Sequence, residues 1–361
     1  MHNQHKRLRT FYNLPESIFM KKKLPTIKEI ARRLNISVST VSRALHDHHS
    51  IGLKTKLRVQ QLAKELDYEP NQAAINFQQG KTYTLGVILP ELSEAFFSSA
   101  ISGIEDCAAK NGYSVLLGQS HDSLETEVRL IETMKKHRVD GLIISIAKTT
   151  NNYSHLESLQ KYNFPVVFFD HIPNMPNIHY IACNLISGTI KAINFLYAKG
   201  HRVIGMINGP ENLPASTERL EGYTQAMHKN RLKYDAQLIM HSDLSYDSIK
   251  EATHKLLFYK RKPTAIVTFN DYVALDSALY AKTQKIKINK DITFVSYANH
   301  PMSMYSAFPP LASVEQFPYL QGQKATETLI ELLHKKNEEK ESANTFFKII
   351  LESQLIIHEN K

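Results

Sequence analysis

Short apolar runs recur along most of this chain, and polar-faced stretches of helix length separate them. Leu85–Leu89, Ser114–Leu117, Gly141–Ile144 and Pro165–Phe169 read as strands buried on both faces, while Phe97–Lys110 and Glu125–His137 carry an apolar stripe at helical spacing. That alternation predicts βαβ units around a parallel sheet. A second series starts near Asn184, with strands at Val203–Ile207, Ala265–Phe269 and Ile292–Ser296. Two α/β lobes in series place a cleft between them, where the C-terminal ends of strands collect polar groups.

The first 80 residues follow another rhythm. Residues 1–24 show no periodicity and read as an arm, within which Met20, followed by Lys21-Lys22-Lys23, is an alternative start to Met1. Thr26-x-x-Glu29 is a capping box opening a helix with Ile27, Ile30, Ala31 and Leu34 on one face. Asn35 suits a tight turn because asparagine tolerates positive φ. Ser37 caps a second helix through Val41 and Leu45, and a third, from Lys54 to Leu66, carries Val59, Leu62 and Leu66. Helices this short are unstable alone and must share a core. The expected divisions are an arm at 1–24, a helical unit at 25–69, a linker at 70–82 and a two-lobed core at 83–361.

Charge sharpens this picture. Of the 44 basic and 35 acidic residues, 14 and 6 fall in residues 1–80, leaving 30 and 29 for the rest. A net charge of +9 therefore lies almost wholly in the first 80 residues, arm and helical unit together, which points to a polyanion partner. A membrane surface suits it less, since no basic amphipathic helix with an aromatic face accompanies the charge. No run approaches the roughly 18 apolar residues of a membrane span, and the start lacks a signal-like apolar stretch. Cys107 and Cys183 lack metal-like spacing and read as buried thiols of a reducing cytoplasm. The cluster His46-Asp47-His48-His49 offers ligand types, but consecutive loop residues seldom converge on one ion, so neither a metal nor a cofactor is expected. Nucleophile elbow, phosphate-binding glycine loop and HExxH are all missing, which argues against an enzyme.

Residues 26–80 resemble the DNA-binding headpiece of the LacI/GalR family of bacterial regulators. The text that carries this is TIKEIARRLNISVSTVSRAL, the Lys54–Tyr68 helix, YEPN with a short helix, and TLGVILP. The core is similar to the same family in GIEDCAAKNGYSVLL, VDGLIIS, FPVVFFD, GPENL with ERLEGY, and AIVTFNDYVAL, so the likeness spans about residues 26–357. It implies a small all-α helix-turn-helix headpiece joined to an α/β core of two doubly wound parallel sheets, the fold of periplasmic sugar-binding proteins.

In a helix-turn-helix the second helix enters the major groove with its first residues at base edges. The DNA-contacting set implied is Thr26, Ser37, Val38, Ser39, Thr40, Ser42, Arg43, His46, Lys54, Thr55, Asn71, Ala74 and Phe77. Ser37 and Thr40 are placed to bond phosphates, which position the protein without reading sequence. Val38, Ser39 and Arg43 hold the family's base-reading positions; Arg43 can grip guanine with two donors and Val38 can meet a thymine methyl. Val38 packed in the shared core is the alternative. Arg32, Arg33, Lys54, Lys56 and Arg58 are further candidates for phosphate contacts. Phe77 stands where the family carries a leucine wedge in the minor groove, and the alternative is a linker residue packed on the core.

The effector-contacting positions implied are Phe96, Phe97, Asp170, His171, Arg219, Asn270 and Ala298. An aromatic wall with carboxylate, guanidinium and amide suits a polyhydroxylated ligand. Asp271 reads as a helix cap. Two departures shift weight from a neutral hexose toward a sugar acid, a sugar phosphate or a non-sugar metabolite. Ala298 stands where many members carry Asp, and Leu244 where an aromatic is frequent. The expectation is a cytoplasmic repressor, a homodimer or tetramer on a pseudo-palindromic operator in double-stranded DNA, controlled by a small molecule. The alternatives are an activator or an effector-independent regulator.

Overall fold

The computed structural model describes residues 25–70, 80–335 and 346–358. The linker residues Asn71, Ala74 and Phe77, the arm and Met20 lie outside the described residues. The chain divides into two compact units, residues 1–81 and 82–361.

In the first unit, α1 (Ile27–Leu34), α2 (Val38–Leu45) and α3 (Leu53–Glu65) follow the predicted order. The Thr26 hydroxyl accepts from the Glu29 backbone at 3.3 Å, which is one half of the expected box. Glu29 does not complete the other half. Its carboxylate turns forward to Arg33 at 2.6 Å, an (i, i+4) pair along the helix. Asn35 ends α1 at φ 54, and Ser37 caps α2 by accepting from Thr40 N at 3.0 Å. Ile30, Ala31, Val41, Ala44, Val59 and Ala63 form the shared core, with Leu34, Leu45, Leu62 and Leu66 around it.

The second unit holds two six-stranded sheets. β1 (Thr84–Leu89), β2 (Ser114–Gln119), β3 (Gly141–Ile144), β4 (Val166–Phe169), β5 (His179–Asn184) and β11 (Lys348–Glu352) form one, in the order β11-β5-β4-β3-β1-β2. Its pairings are all parallel. The other runs β12-β10-β9-β8-β6-β7, from β6 (Ile204–Asn208), β7 (Ile239–His241), β8 (Ala265–Thr268), β9 (Thr293–Tyr297), β10 (Ala312–Glu315) and β12 (Gln354–Ile357). There β12 alone is antiparallel, against β10. Strands so apolar need cover on both faces. α4 (Ala95–Lys110), α5 (Leu124–Lys136) and α6 (Ser154–Lys161) serve the first lobe. α7 (Leu185–Ala198), α8 (Pro214–Lys229), α9 (Tyr246–Leu257) and α10 (Asp271–Thr283) serve the second.

The chain passes between lobes three times: after β5, between β10 and α11 (Pro318–Lys335), and between β11 and β12. Polar bonds tie the first and third passages together. Glu352 accepts from the Asn184 amide at 2.8 Å and the Ser187 hydroxyl at 2.9 Å, and the Ser353 hydroxyl donates to the Asn184 carbonyl at 3.0 Å. The second passage brings α11 back onto α4, where Ala325, Leu329, Ile330 and Leu333 join the first lobe's core. The two helices cross with almost no side chain between them, because a Cβ on Gly322 would run into the Ala100 carbonyl and one on Gly103 into that of Tyr319. Gly322→Val therefore forces the helices apart. We expect a loss of about 1–3 kcal/mol in urea unfolding, and an unchanged midpoint would show that the crossing gives way freely.

Cys107 and Cys183 are buried free thiols. Burial, with Asp170 nearby, pushes Cys183 up to about 12, so it is fully protonated at neutral pH. Among the described residues no helix is long and apolar enough to cross a membrane.

Candidate DNA-reading surface and effector site

The outer face of α2 is the exposed part of the headpiece's second helix. Val38 is 41 % exposed and stands outside the shared core, so packing there does not account for it. Ser39 and Arg43 are exposed beside it, and Ser42 is half-buried. The Ser37 oxygen is engaged locally, accepting from Thr40 N and lying 2.8 Å from the hydroxyls of both Ser39 and Thr40. His46 is the exposed C-cap of α2. Lys54 is exposed in the first turn of α3, with Thr55 half-buried behind it. Two of the candidate phosphate-binding cations are already occupied. Arg33 holds Glu29, and Lys56, 13 % exposed, holds Asp47 at 2.6 Å and its backbone carbonyl at 3.0 Å. His48 stacks on His49 with ring centres 4.2 Å apart.

In the core, the candidate effector residues gather where strands of both lobes end. Asp170 follows β4 at φ 59, with its side chain 19 % exposed. His171 donates through Nδ1 to the Ile146 carbonyl at 3.1 Å, so its Nε2, 3.5 Å from Asp170 Oδ2, faces the carboxylate as a second acceptor when the ring is neutral. A ligand hydroxyl carries one proton and can donate to either of them, so two hydroxyls would satisfy both. Phe96 and Phe97 are buried in the first lobe's core; Phe97 meets Phe169 and the edge of His171, so these rings back the site without walling it openly.

From the second lobe comes Arg219 on α8. It is 4 % exposed, and its guanidinium lies between the rings of Phe269 at 4.0 Å and Tyr297 at 4.4 Å. Cation–π stacking holds the faces of the guanidinium but leaves its edge donors free. Nε and Nη1 are buried without a hydrogen-bond partner. Burial depresses its pKa, while Tyr297, Asp170 and Glu218 support the charge.

Asn270 caps α10 by accepting from Val273 N at 3.0 Å, which leaves its amide NH2 to donate. The cap is thus Asn270, one residue before the expected Asp271. Asp271 is buried and accepts from Ser296, Ser313 and the backbone of His300, an arrangement that fixes the loop after β9. Ala298 in that loop sits at φ 88, a strained position for a residue with a Cβ, and its N–H donates to the Val314 carbonyl. Leu244, at φ 71, packs against the second lobe's core.

Phe269, Tyr297, Glu94 and Lys148 were not singled out in the sequence. Desolvation raises the Glu94 carboxyl above its usual range; Lys148 opposes this and Asp170 adds to it. Lys148 itself is paired with Asp122 at 2.8 Å. The motif arginine was the one hint of the two aromatics, since a guanidinium stacks well on aromatic faces, but its spacing does not say which rings. A pocket of about 360 Å³, lined by Lys282, Lys285, Lys287, Lys290 and Phe308 among others, lies at the opposite, N-terminal end of β9 and contains none of these groups.

Residues 26–71 match the family profile described as bacterial regulatory proteins, lacI family. Residues 82–351 match that of periplasmic binding proteins and the sugar binding domain of the LacI family. The chain belongs to the LacI family. Among the LacI-family relatives is the HTH-type transcriptional repressor CytR of Escherichia coli (strain K12), 30 % identical over 309 residues, which are 85 % of this chain and 89 % of that one. Catabolite control protein A of Priestia megaterium is 30 % identical over 312 residues, 86 % of this chain and 93 % of that one. The lac repressor dimer bound to operator and the anti-inducer ONPF superposes with a TM-score of 0.79 at 23 % identity, over 92 % of this chain and 98 % of that one, a likeness of fold. This LacI-family chain is a DNA-binding regulator of transcription, with a helix-turn-helix headpiece and a binding-protein-like core.

Proposed function

We propose that this regulator is a cytoplasmic repressor that binds a pseudo-palindromic operator as a homodimer and changes its DNA affinity when a hydroxylated small molecule enters the cleft of the core. The observation that carries the reading is Arg219, a buried guanidinium with two donors unmatched by the protein. A buried charge left short of hydrogen bonds is costly, and a ligand bearing acceptor oxygens removes that cost. Asp170 and His171 supply acceptors, and the Asn270 amide a further donor. Glu94, Asp170 and Glu218 stand near Arg219 and Lys148, and Lys148 is already committed to Asp122. That balance favours an uncharged sugar over a sugar phosphate or acid. The ligand touches both lobes, so it shifts the population between lobe angles, and with it the DNA-competent state.

In this reading Val38, Ser39 and Arg43 face the bases, and Lys54, Thr26, Thr40 and Thr55 sit against the backbone. Deletion of the gene tests the direction of control. Transcripts of the genes beside its operator should rise several-fold in the deletion strain, and a fall would mark an activator instead.

A further inference from the structure

The stretch that leads from the last turn of α10 toward β9 is dense in one charge. Lys282, Lys285, Lys287 and Lys290 are all exposed, and all four line the pocket of about 360 Å³ that also includes Ile286, Ile288 and Phe308. Elsewhere on the core Lys135, Lys148, Lys255 and Lys324 each hold a carboxylate at 2.6–2.8 Å. Among the described residues, none of the four pocket lysines does. Lys282 instead rests its Nζ 4.9 Å from the centre of the Phe308 ring. The loop's own acid, Asp291, turns Oδ2 to the backbone N–H of Lys287 at 2.9 Å, which fixes the turn.

A helix C-terminus attracts cations near its last turn, which accounts for Lys282 and Lys285. Lys287 and Lys290 lie beyond that turn and add repulsion that no described carboxylate offsets. The floor beneath them is already in place. Ile286, Ile288 and Phe308 pack against the second lobe's core, and the backbone of Asn289 donates to the Ile292 carbonyl at 2.8 Å. A ligand here meets a preformed surface, which lowers the cost of ordering it. The volume lies within the range of small-molecule sites. Lysine is a compact point charge that suits phosphate. One phosphate group carries a charge of about −1.5 to −2 at neutral pH, so two of them balance four ammonium groups. An acidic protein segment would spread its carboxylates along a backbone, whereas these four charges converge on one concavity.

We infer that this pocket is a second ligand site, at the end of β9 away from Arg219, for a small molecule bearing two or more linked phosphate groups. It stands whether or not Arg219 holds an effector, because the two sites share no residue.

The test is calorimetric titration of the full-length protein at near-physiological salt with pyrophosphate, tripolyphosphate and ATP, each against inorganic phosphate. At least one of the three should bind saturably, about tenfold or more tighter than inorganic phosphate. Lys285→Ala combined with Lys287→Ala should lower that affinity by about tenfold or more. Both side chains are exposed, so the melting temperature without ligand should not fall. Arg43→Ala combined with Lys54→Ala, in the basic headpiece, should leave the affinity unchanged. Saturable binding of none of the three, an affinity no better than that of inorganic phosphate, or a loss that follows the headpiece pair and not the loop pair would overturn the inference. Tighter binding of tetraglutamate than of all three would also overturn it, and would assign the pocket to an acidic protein segment.

Discussion

Arg219→Met should abolish the effector response and at the same time stabilise the protein without ligand. The guanidinium is 4 % exposed, is sandwiched by Phe269 and Tyr297, and has two buried donors unmatched. Methionine fills a similar path between the rings and brings no polar group to desolvate. Replacing a buried, under-bonded charge with an apolar side chain is worth about 1–3 kcal/mol of added stability. Losing a charge-assisted contact to the ligand costs about 2–5 kcal/mol of binding, or roughly thirtyfold to several thousandfold. The two effects have opposite signs because the site gives up stability for function. Urea unfolding without ligand reads the first, and effector-dependent release of operator DNA reads the second. A variant both less stable and still responsive would mean that Arg219 is a structural residue.

Arg43→Ala and Lys54→Ala should weaken DNA binding in different ways. Arg43 is exposed on α2 near Val38 and Ser39, where it can meet two acceptors of a guanine. Its loss should cost about 1–3 kcal/mol on the preferred operator and much less on random DNA, so specificity drops. Lys54 is exposed at the start of α3, and its loss should weaken both DNAs alike and flatten the salt dependence by about one unit. Fluorescence anisotropy over a salt series measures both. Arg43→Ala lowering specific and random binding equally would remove that residue from base reading. Lys56→Ala should instead act on headpiece stability, since Lys56 is spent on Asp47.

Periodicity placed most of the fold. The strands at Leu85, Ser114, Gly141, Val203, Ala265 and Ile292 each appear within a residue or two of their expected bounds, because a run buried on both faces leaves a nearly continuous apolar signal. β5, β7, β10, β11 and β12 escaped notice. β11 and β12 lie at sheet edges with alternating or mixed exposure, and their register comes from partners distant in sequence, β5 for β11 and β10 for β12. The crossing of α4 and α11 at Gly103 and Gly322 was likewise invisible, since two glycines far apart in the chain carry no local sign that they meet.

The site was legible to the extent that motifs mark single positions. The motif singled out Arg219, but its sandwich between Phe269 and Tyr297 is a tertiary fact. Glu29 and Asn270 show the limits of local rules. The carboxylate acceptor of the box was drawn away by Arg33, four residues on, and the cap shifted by one because Ser296, Ser313 and His300 claim Asp271. Each time a competing partner outweighed the local preference, and single-sequence spacing does not show such partners.

The central claim is that this chain reads a specific DNA sequence under the control of a small molecule. The direct test is selection of genomic fragments by the purified full-length protein at near-physiological salt, with and without a metabolite extract, followed by sequencing of the retained DNA. The account predicts one enriched palindrome whose recovery changes on adding the extract. Retention no different from random fragments under both conditions would contradict it.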